Sequence, residues 1–221
     1  SLSLAVGVSI SNFHLFLSFF ACLAIAFCWN DRQNLRTKFV SLAVLTVFFL
    51  SAILLSTMLI DIYGDSRSYH GPAVVALSDG WNPYYDWDVC EWNRDFCLHT
   101  SKFIDHYPKA QWYISAEFYS LFGNLDVGKC MNVLMLVLCS LVAYEIADSV
   151  LPNRRLTALA VSIVIALNPV AVAQLFSGTV DGILSSTLSI IVLLLMGFLF
   201  TRKDRYFHQA MFVLVYFVNL K

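Results

Sequence analysis

Long apolar segments dominate this sequence, and they constrain its fold more than any other feature. A helix needs roughly 20 apolar residues to cross the hydrocarbon core of a bilayer. Six segments approach that length: residues 9–29, 40–60, 130–150, 156–176, 183–200 and 206–219. Charged residues make up only 13% of the chain, roughly half the fraction found in soluble domains. The sequence therefore predicts an all-α polytopic membrane protein with about six transmembrane helices.

The first apolar segment has no basic start and no clear small-residue cleavage site, so we interpret it as a span and not as a signal peptide. The chain begins at Ser1 without methionine and stops at Lys221, just after an apolar run. We therefore expect residues 1–221 to form a single transmembrane domain that belongs to a longer protein. A function that needs the complete fold would then be incomplete in this fragment.

The basic residues predict the orientation of the spans. They lie between the first and second spans, between the third and fourth, and between the fifth and sixth; they are Arg32, Arg36, Lys38, Arg154, Arg155, Arg202, Lys203 and Arg205. Short loops rich in lysine and arginine stay on the cytoplasmic side. The long segment 61–129 and the short turn 177–182 are then predicted to share the outer face.

The outer loop, residues 61–129, is acidic and aromatic. It holds ten of the 15 acidic residues of the chain and four of its five tryptophans. We expect those four, Trp81, Trp87, Trp92 and Trp112, to lie at the level of the lipid headgroups. A first short surface helix is predicted to open at Gly71-Pro72, because proline suits the first helical position, and to end near Gly80.

A second short surface helix is predicted from Tyr107-Pro108 to Gly123, a residue type that commonly ends helices. Its spacing places four apolar side chains on one face, which are Ile114, Phe118, Leu121 and Phe122. Lys109, Ser115 and Glu117 fall away from that face. A helix of this kind directly before a span is expected to lie along the membrane surface.

Two cysteines of the outer loop, Cys90 and Cys97, admit more than one interpretation. On an oxidising face they would form a disulfide, and otherwise they are two unrelated thiols. Together with His99 and His106 they also form a set of zinc-ligand types, but their spacing matches no common zinc site. The sequence leaves the choice between disulfide and thiols open.

Several short motifs of the outer loop carry a resemblance to a known family. They are D-x-x-x-Y-H at Asp65 to His70, G-W-N-P-Y-Y from Gly80, Y-P-K-x-Q-x-Y from Tyr107, L-F-G-N from Leu121 and the run from Asn168 to Gly182. In this order, between spans, they resemble the GT-C superfamily of membrane glycosyltransferases, which includes protein mannosyltransferases and the aminoarabinose transferase. The resemblance covers about residues 40–200. This chain has one extra span before the loop and lacks the later spans of such enzymes.

The resemblance implies a glycosyltransferase that moves a sugar from a polyprenyl-phosphate carrier to an acceptor at the outer membrane face. The family's general base is a carboxylate at the start of the first outer loop, which corresponds to Asp65 and, less well, to Asp61. Attack by the acceptor from the face opposite the phosphate would invert the anomeric centre. The membrane is either a bacterial inner (plasma) membrane, with the loop facing the periplasm, or an endoplasmic reticulum membrane, with the loop facing the lumen. The resemblance and the short loops favour the bacterial case.

The residue types suggest how substrates would be held. Candidate contacts to phosphate or sugar are Arg67, Tyr69, His70, Lys109, Gln174 and Asp181. No cofactor is assigned, and a divalent cation held by Asp61, Asp65 and Asp181 is left open. The expected partners are the lipid-linked sugar, membrane lipid and an acceptor glycan, lipid or protein; no nucleic acid is expected at a net charge of -1.

A non-catalytic protein of membrane transport, lipid handling or assembly is the alternative. A transporter would have charged residues in mid-span or paired broken helices. The sequence offers one clear interruption of this kind, Asn168-Pro169, near the outer end of its span. The glycosyltransferase is the favoured interpretation, and the resemblance is its main support.

Overall fold

The computed structural model describes residues 34–97, 99, 101–107 and 109–220, and every regular element among them is helical. We number the α-helices α1 Leu35–Met58, α2 Gly71–Ser78, α3 Val89–Trp92, α4 Ser101–His106, α5 Ala110–Phe122, α6 Cys130–Val150, α7 Arg155–Ala166, α8 Pro169–Ala173, α9 Asp181–Thr201 and α10 Asp204–Val218. A π-helical turn, Ser66–His70, precedes α2. Short 3-10 helices cover Arg94–Phe96 and Leu125–Lys129.

Three segments are long and apolar enough to cross a membrane: Leu35–Met58, Leu125–Val150 and Asp181–Thr201. They correspond to the predicted spans 40–60, 130–150 and 183–200, so the prediction of an all-helical chain with membrane spans is confirmed at this level. The predicted span 9–29 lies outside the described residues. Helix α1 begins five positions earlier than predicted because Asn34 caps it, its side-chain oxygen accepting a hydrogen bond from the Arg36 N–H at 3.2 Å.

Two of the six predicted spans are not supported as single helices. Segment 156–176 is divided into α7, of 12 residues, and α8, of five. The break lies at Asn168-Pro169, because proline has no N–H to donate and the Asn168 side chain instead caps α8 by accepting from the Ala171 N–H. Helix α10 has 15 residues, which at about 1.5 Å per residue is shorter than the hydrocarbon core of roughly 30 Å.

The described residues of 34–60, 64–106 and 112–130 form one compact unit, called unit 1. Its core contains the two tryptophans Trp81 and Trp112, both essentially unexposed. Their burial corrects the expectation that they lie among the lipid headgroups: each ring instead fills the interior, and each indole N–H is bonded within the unit. Trp87 stays exposed.

The two predicted surface helices are present in the outer loop. Helix α2 starts with proline in its first turn, and Gly80 follows it with a positive φ of 109°. Helix α5 begins at Ala110, three positions after the predicted start at Tyr107, which is non-helical; Pro108 lies outside the described residues. Gly123 follows the helix with a φ of 65°. Both glycines adopt the left-handed region that ends a helix at little cost.

The predicted apolar face of α5 is only partly correct. Phe118 is buried and its ring lies 6.0 Å from that of Phe49 on α1, but Phe122 is exposed. Ser115, expected to point away from the packed side, is buried instead. The reason is that the interior of unit 1 covers the Trp112–Ala116 side of α5, a second contact that the spacing of large apolar residues does not reveal.

Residues 61–63 and the described parts of 107–111 and 131–221 form a second compact unit, unit 2. Its core is built from side chains of α6, α9 and α10, which are Met135, Cys139, Ala143, Ile146, Ile183, Ile190, Leu193, Leu194, Tyr206, Ala210 and, beyond α10, Leu220. Glu145 on α6 pairs with Arg205 at 2.7 Å. The Tyr206 hydroxyl also donates to Glu145 at 3.2 Å.

Candidate functional site

The candidate base Asp65 lies at the start of the π-helical turn of unit 1. Its carboxylate is exposed and makes no capping hydrogen bond to the turn, although the residue occupies the capping position. The Tyr69 hydroxyl donates to its Oδ2 over 3.4 Å, which is long for a hydrogen bond between oxygens. Among the described residues it has no ion-pair partner. The carboxylate is therefore exposed and is not neutralised by a cation of the described residues.

Tyr69 and His70 are held from the inside of unit 1. Both are buried, and their rings lie 4.3 Å apart. The Trp112 indole N–H donates to His70 Nδ1 at 2.7 Å. Because an indole nitrogen can only donate, His70 Nδ1 is the acceptor of this hydrogen bond. The sequence predicts His70 as a substrate contact. In the structure its Nδ1 already accepts a hydrogen bond from the buried Trp112 indole.

Asp61, the second candidate base, is engaged by main-chain donors of unit 2. It is buried; its Oδ1 accepts from the Tyr63 N–H at 2.9 Å and its Oδ2 from the Gly178 N–H at 2.7 Å. A hydrogen bond from the Tyr63 hydroxyl to the Ala173 carbonyl adds a second link between these segments. Asp61 thus links residues 61–63 to the turn after α8 by hydrogen bonds. This is a structural role, and it does not require an oxygen that can accept a proton from substrate.

Gln174 and Asp181 are neighbours in unit 2. The Gln174 amide donates to Asp181 Oδ2 at 3.3 Å and accepts from the Gly182 N–H at 2.7 Å. Asp181 opens α9, where a carboxylate interacts favourably with the helix dipole. Both residues belong to the run from Asn168 to Gly182 that carries part of the resemblance, and the structure brings them together. Their role in substrate binding remains a prediction.

The two basic candidates differ in their surroundings. Arg67 is exposed within the π-helical turn, and its guanidinium makes no hydrogen bond or ion pair with the described residues. The Lys109 ammonium is half-buried and donates to the Tyr107 carbonyl at 3.0 Å. Arg67 is thus the basic candidate whose donors are exposed. A guanidinium also suits bidentate phosphate binding better than an ammonium does.

Lys129, which the sequence did not single out, has a side chain that is almost completely buried in unit 1. Its ammonium donates to the Leu59 carbonyl, the residue that follows the last turn of α1, and pairs with Asp126 at 2.8 Å. A positive charge at the C-terminal end of a helix meets unpaired carbonyls and the negative end of the dipole. The signal was visible as a lysine at the very start of an apolar run, a costly position unless the charge is paired.

Cys90 and Cys97 form a disulfide in unit 1, with their Cα atoms 4.5 Å apart, which resolves the choice that the sequence left open. Together with Glu91 and Arg94 they line a shallow depression of about 640 Å³, which contains none of the predicted site residues. Within the part of the chain that the structure describes, no group of three or more histidine, cysteine or acidic side chains is arranged to hold a metal ion. The zinc and divalent-cation interpretations therefore have no support from the described geometry.

Comparisons with known proteins add no assignment to this geometry. No family model matches the chain, and neither a curated protein nor a solved structure is similar enough to count as a match.

Proposed function

We propose that this chain belongs to a membrane glycosyltransferase that moves a sugar from a polyprenyl-phosphate carrier to an acceptor, with Asp65 as the general base. The observation that carries the proposal is the contrast between the two candidate carboxylates. Asp61 is buried and bonded to two main-chain N–H groups, whereas Asp65 is exposed and unused as a helix cap. A base must reach the hydroxyl whose proton it takes, and Asp65 meets this requirement.

The reaction follows from these groups. The acceptor hydroxyl gives its proton to the Asp65 carboxylate while its oxygen forms a bond to the anomeric carbon. The bond from that carbon to the phosphate oxygen breaks, and the polyprenyl phosphate leaves with the electron pair. Arg67, exposed two residues from Asp65, supplies guanidinium donors for the developing phosphate charge. Attack opposite the leaving group inverts the sugar.

The π-helical turn supports this assignment. Such turns are rare and frequently lie at functional sites. Here the turn is anchored by two buried rings, Tyr69 and His70, while Asp65 and Arg67 remain exposed. A rigid support beneath exposed polar groups reduces the cost of orienting them for reaction.

We also propose that the outer loop lies on the periplasmic side of a bacterial inner membrane, and that Tyr69, His70 and Lys109 contact the substrates. The polar turn around Gln174 and Asp181 would contact the acceptor or the sugar. The segment that holds it is supported by the Asp61 hydrogen bond to Gly178.

The test is transfer of a labelled sugar in membranes that contain the chain. Membranes are incubated with polyprenyl phosphates that carry a labelled hexose, pentose or aminopentose, and the label in lipid, glycan and protein fractions is measured. We expect Asp65→Asn to reduce transfer by a factor of about 10² or more, as removal of a positioned base typically does. The amount of folded protein is matched between samples.

Two other carboxylates provide the controls. Asp79 is an exposed acid of the same unit that has no role in the proposal, so Asp79→Asn should transfer as wild type. Asp61→Asn should lower thermal stability, because an amide offers one accepting oxygen where two N–H groups need partners. Absence of transfer in wild-type membranes, or full activity of Asp65→Asn, would contradict the proposal.

One observation favours the alternative of transport or lipid handling. The break between α7 and α8 leaves a short helix and a turn with buried polar side chains, among them Ser177 and Thr179. Broken helices with polar groups mark substrate paths in transporters. Uptake or flipping of a labelled lipid by proteoliposomes that depends on Asn168, with no sugar transfer, would favour this function.

A further inference from the structure

Three aromatic side chains stand exposed in one short segment of unit 1. They belong to Tyr84, Tyr85 and Trp87, whose exposed fractions are 59%, 65% and 61%. We call residues 82–87 the aromatic turn. Large aromatic rings usually contribute to a core, and a cluster of exposed ones commonly marks a binding surface. Two other tryptophans of the same unit, Trp81 and Trp112, are buried, and Trp87 differs from them in its exposure.

Hydrogen bonds within unit 1 fix the backbone of the aromatic turn. The Trp81 indole N–H donates to the Asp86 carbonyl at 2.8 Å, which closes the turn over a completely buried ring. The N–H groups of Tyr85 and Asp86 both donate to the Asn82 carbonyl, at 3.0 and 2.8 Å. The Asn82 side-chain oxygen accepts from the Tyr84 N–H at 3.1 Å. The backbone that presents the rings is thus ordered before any ligand binds, which lowers the entropic cost of binding.

The charges near the turn restrict what binds to it. Residues 79–97 contain five acidic residues, Asp79, Asp86, Asp88, Glu91 and Asp95, and one basic residue, Arg94. An anionic lipid surface attracts basic segments and repels this one. Carboxylates only accept hydrogen bonds, so they suit a ligand rich in donors. A neutral sugar has such hydroxyl donors, and its C–H faces stack on the negative face of an aromatic ring.

We propose that the aromatic turn is the docking surface for a neutral glycan, which rests on the proposed function because this glycan is the acceptor of the transfer. Sugar rings stack on Tyr84, Tyr85 and Trp87, and their hydroxyls donate to the exposed carboxylate of Asp86. The inference selects the glycan from the acceptors that the sequence left open. It also gives a role to a segment that the proton transfer at Asp65 does not use.

Direct binding tests the surface without any sugar donor. The chain, reconstituted in lipid nanodiscs, is titrated with neutral hexasaccharides of glucose, mannose and N-acetylglucosamine; binding is measured by calorimetry, and tryptophan emission is followed as a second readout. We expect at least one hexasaccharide to bind saturably and to quench the emission of Trp87. The Trp87 contribution is the part of the emission that is absent from Trp87→Phe. Tyr84→Ala, Tyr85→Ala and Trp87→Ala should each weaken binding by about tenfold, the size of one lost stacking contact.

Matched variants separate this surface from the proposed chemistry. Phe122→Ala removes an exposed aromatic ring elsewhere in unit 1 and should bind as wild type. Asp65→Asn should also bind as wild type, since binding needs no proton transfer. Normal glycan binding without any sugar transfer would contradict the proposed function and leave the docking surface standing.

Three outcomes would overturn the docking surface. One is the absence of saturable binding by all three hexasaccharides, and another is equal binding by wild type and the three aromatic variants. The third is quenching of Trp87 emission by brominated lipids in the nanodisc with no response to glycan, which would assign the turn to the membrane surface.

Discussion

At the scale of single residues, the buried polar side chains of unit 1 are distinguished by their partners. His70 accepts from the Trp112 indole, and Lys129 serves both the Leu59 carbonyl and Asp126. Such contacts lower the cost of removing polar groups from water, which is large when they are unpaired. They also limit which residues remain available for chemistry, and this favours the exposed Asp65 and Arg67.

The two partners of Lys129 should respond differently to substitution. Lys129→Met keeps much of the side-chain volume but leaves the Leu59 carbonyl without its donor, so we expect a loss of about 1–3 kcal/mol in stability. Asp126 has a side chain that is 47% exposed, so Asp126→Asn should cost less than about 1 kcal/mol. Thermal unfolding in detergent, followed by circular dichroism, compares the two. An equal loss from both variants would show that the ion pair dominates instead.

The sequence could indicate the candidate carboxylates but could not separate them. Asp61 and Asp65 lie four positions apart after the same apolar run, and both fit the residue type of a base. The difference between them comes from Gly178, whose N–H reaches Asp61 across 117 positions of sequence. A contact over that separation leaves no periodic or compositional signal, so only the folded chain reveals it.

At the scale of helices, the residues at which helices end were predicted better than the buried faces or the lengths of the helices. Pro72, Gly80 and Gly123 act locally, through a missing N–H or a positive φ, and the sequence identified all three correctly. The break at Asn168-Pro169 was also visible, but hydropathy alone joined α7 and α8 into one span. The buried side of α5 was missed in part because small residues, Ser115 and Ala116, face the core there.

The contact of α5 with Leu125–Lys129 provides a test of this packing. A Cβ atom on Gly128 would lie 2.7 Å from Ser115 Oγ and 3.0 Å from its Cβ. We expect Gly128→Ala to destabilise the protein by about 1–3 kcal/mol through overpacking. Combining it with Ser115→Gly removes both close atoms and should recover a large part of the loss. A double variant no more stable than Gly128→Ala would contradict this contact.

At the scale of the whole molecule, the distribution of lysine and arginine predicts an orientation that thiol labelling can test. We expect Cys90 and Cys97 to face the outer, oxidising side and the start of α1 to face the cytoplasm. Intact cells treated with an impermeant reductant and then an impermeant maleimide should label the wild-type chain at these cysteines. A Cys90→Ser, Cys97→Ser variant gives the background from the remaining thiols.

The opposite end of α1 is probed with Thr37→Cys in that same background, because Thr37 is exposed and Asn34 is needed as the cap. This thiol should be labelled only after the cells are permeabilised. Labelling of Thr37→Cys in intact cells, with none at Cys90 and Cys97, would reverse the orientation. The proposed outer site would then face the wrong compartment for its substrates.

The bond from Lys129 to Leu59 has a consequence for how the chain is made. The two residues are 70 positions apart, so α1 leaves the ribosome long before the lysine that caps it is synthesised. During that interval the Leu59 carbonyl has no lysine donor. Asp126 lies only three positions before Lys129, so this pair forms locally, whereas the contact with Leu59 requires the intervening loop to fold back toward the end of α1. Closure of the last turn of α1 by Lys129 is therefore a late event in the making of the protein, and a loop that fails to fold leaves the Leu59 carbonyl without this donor.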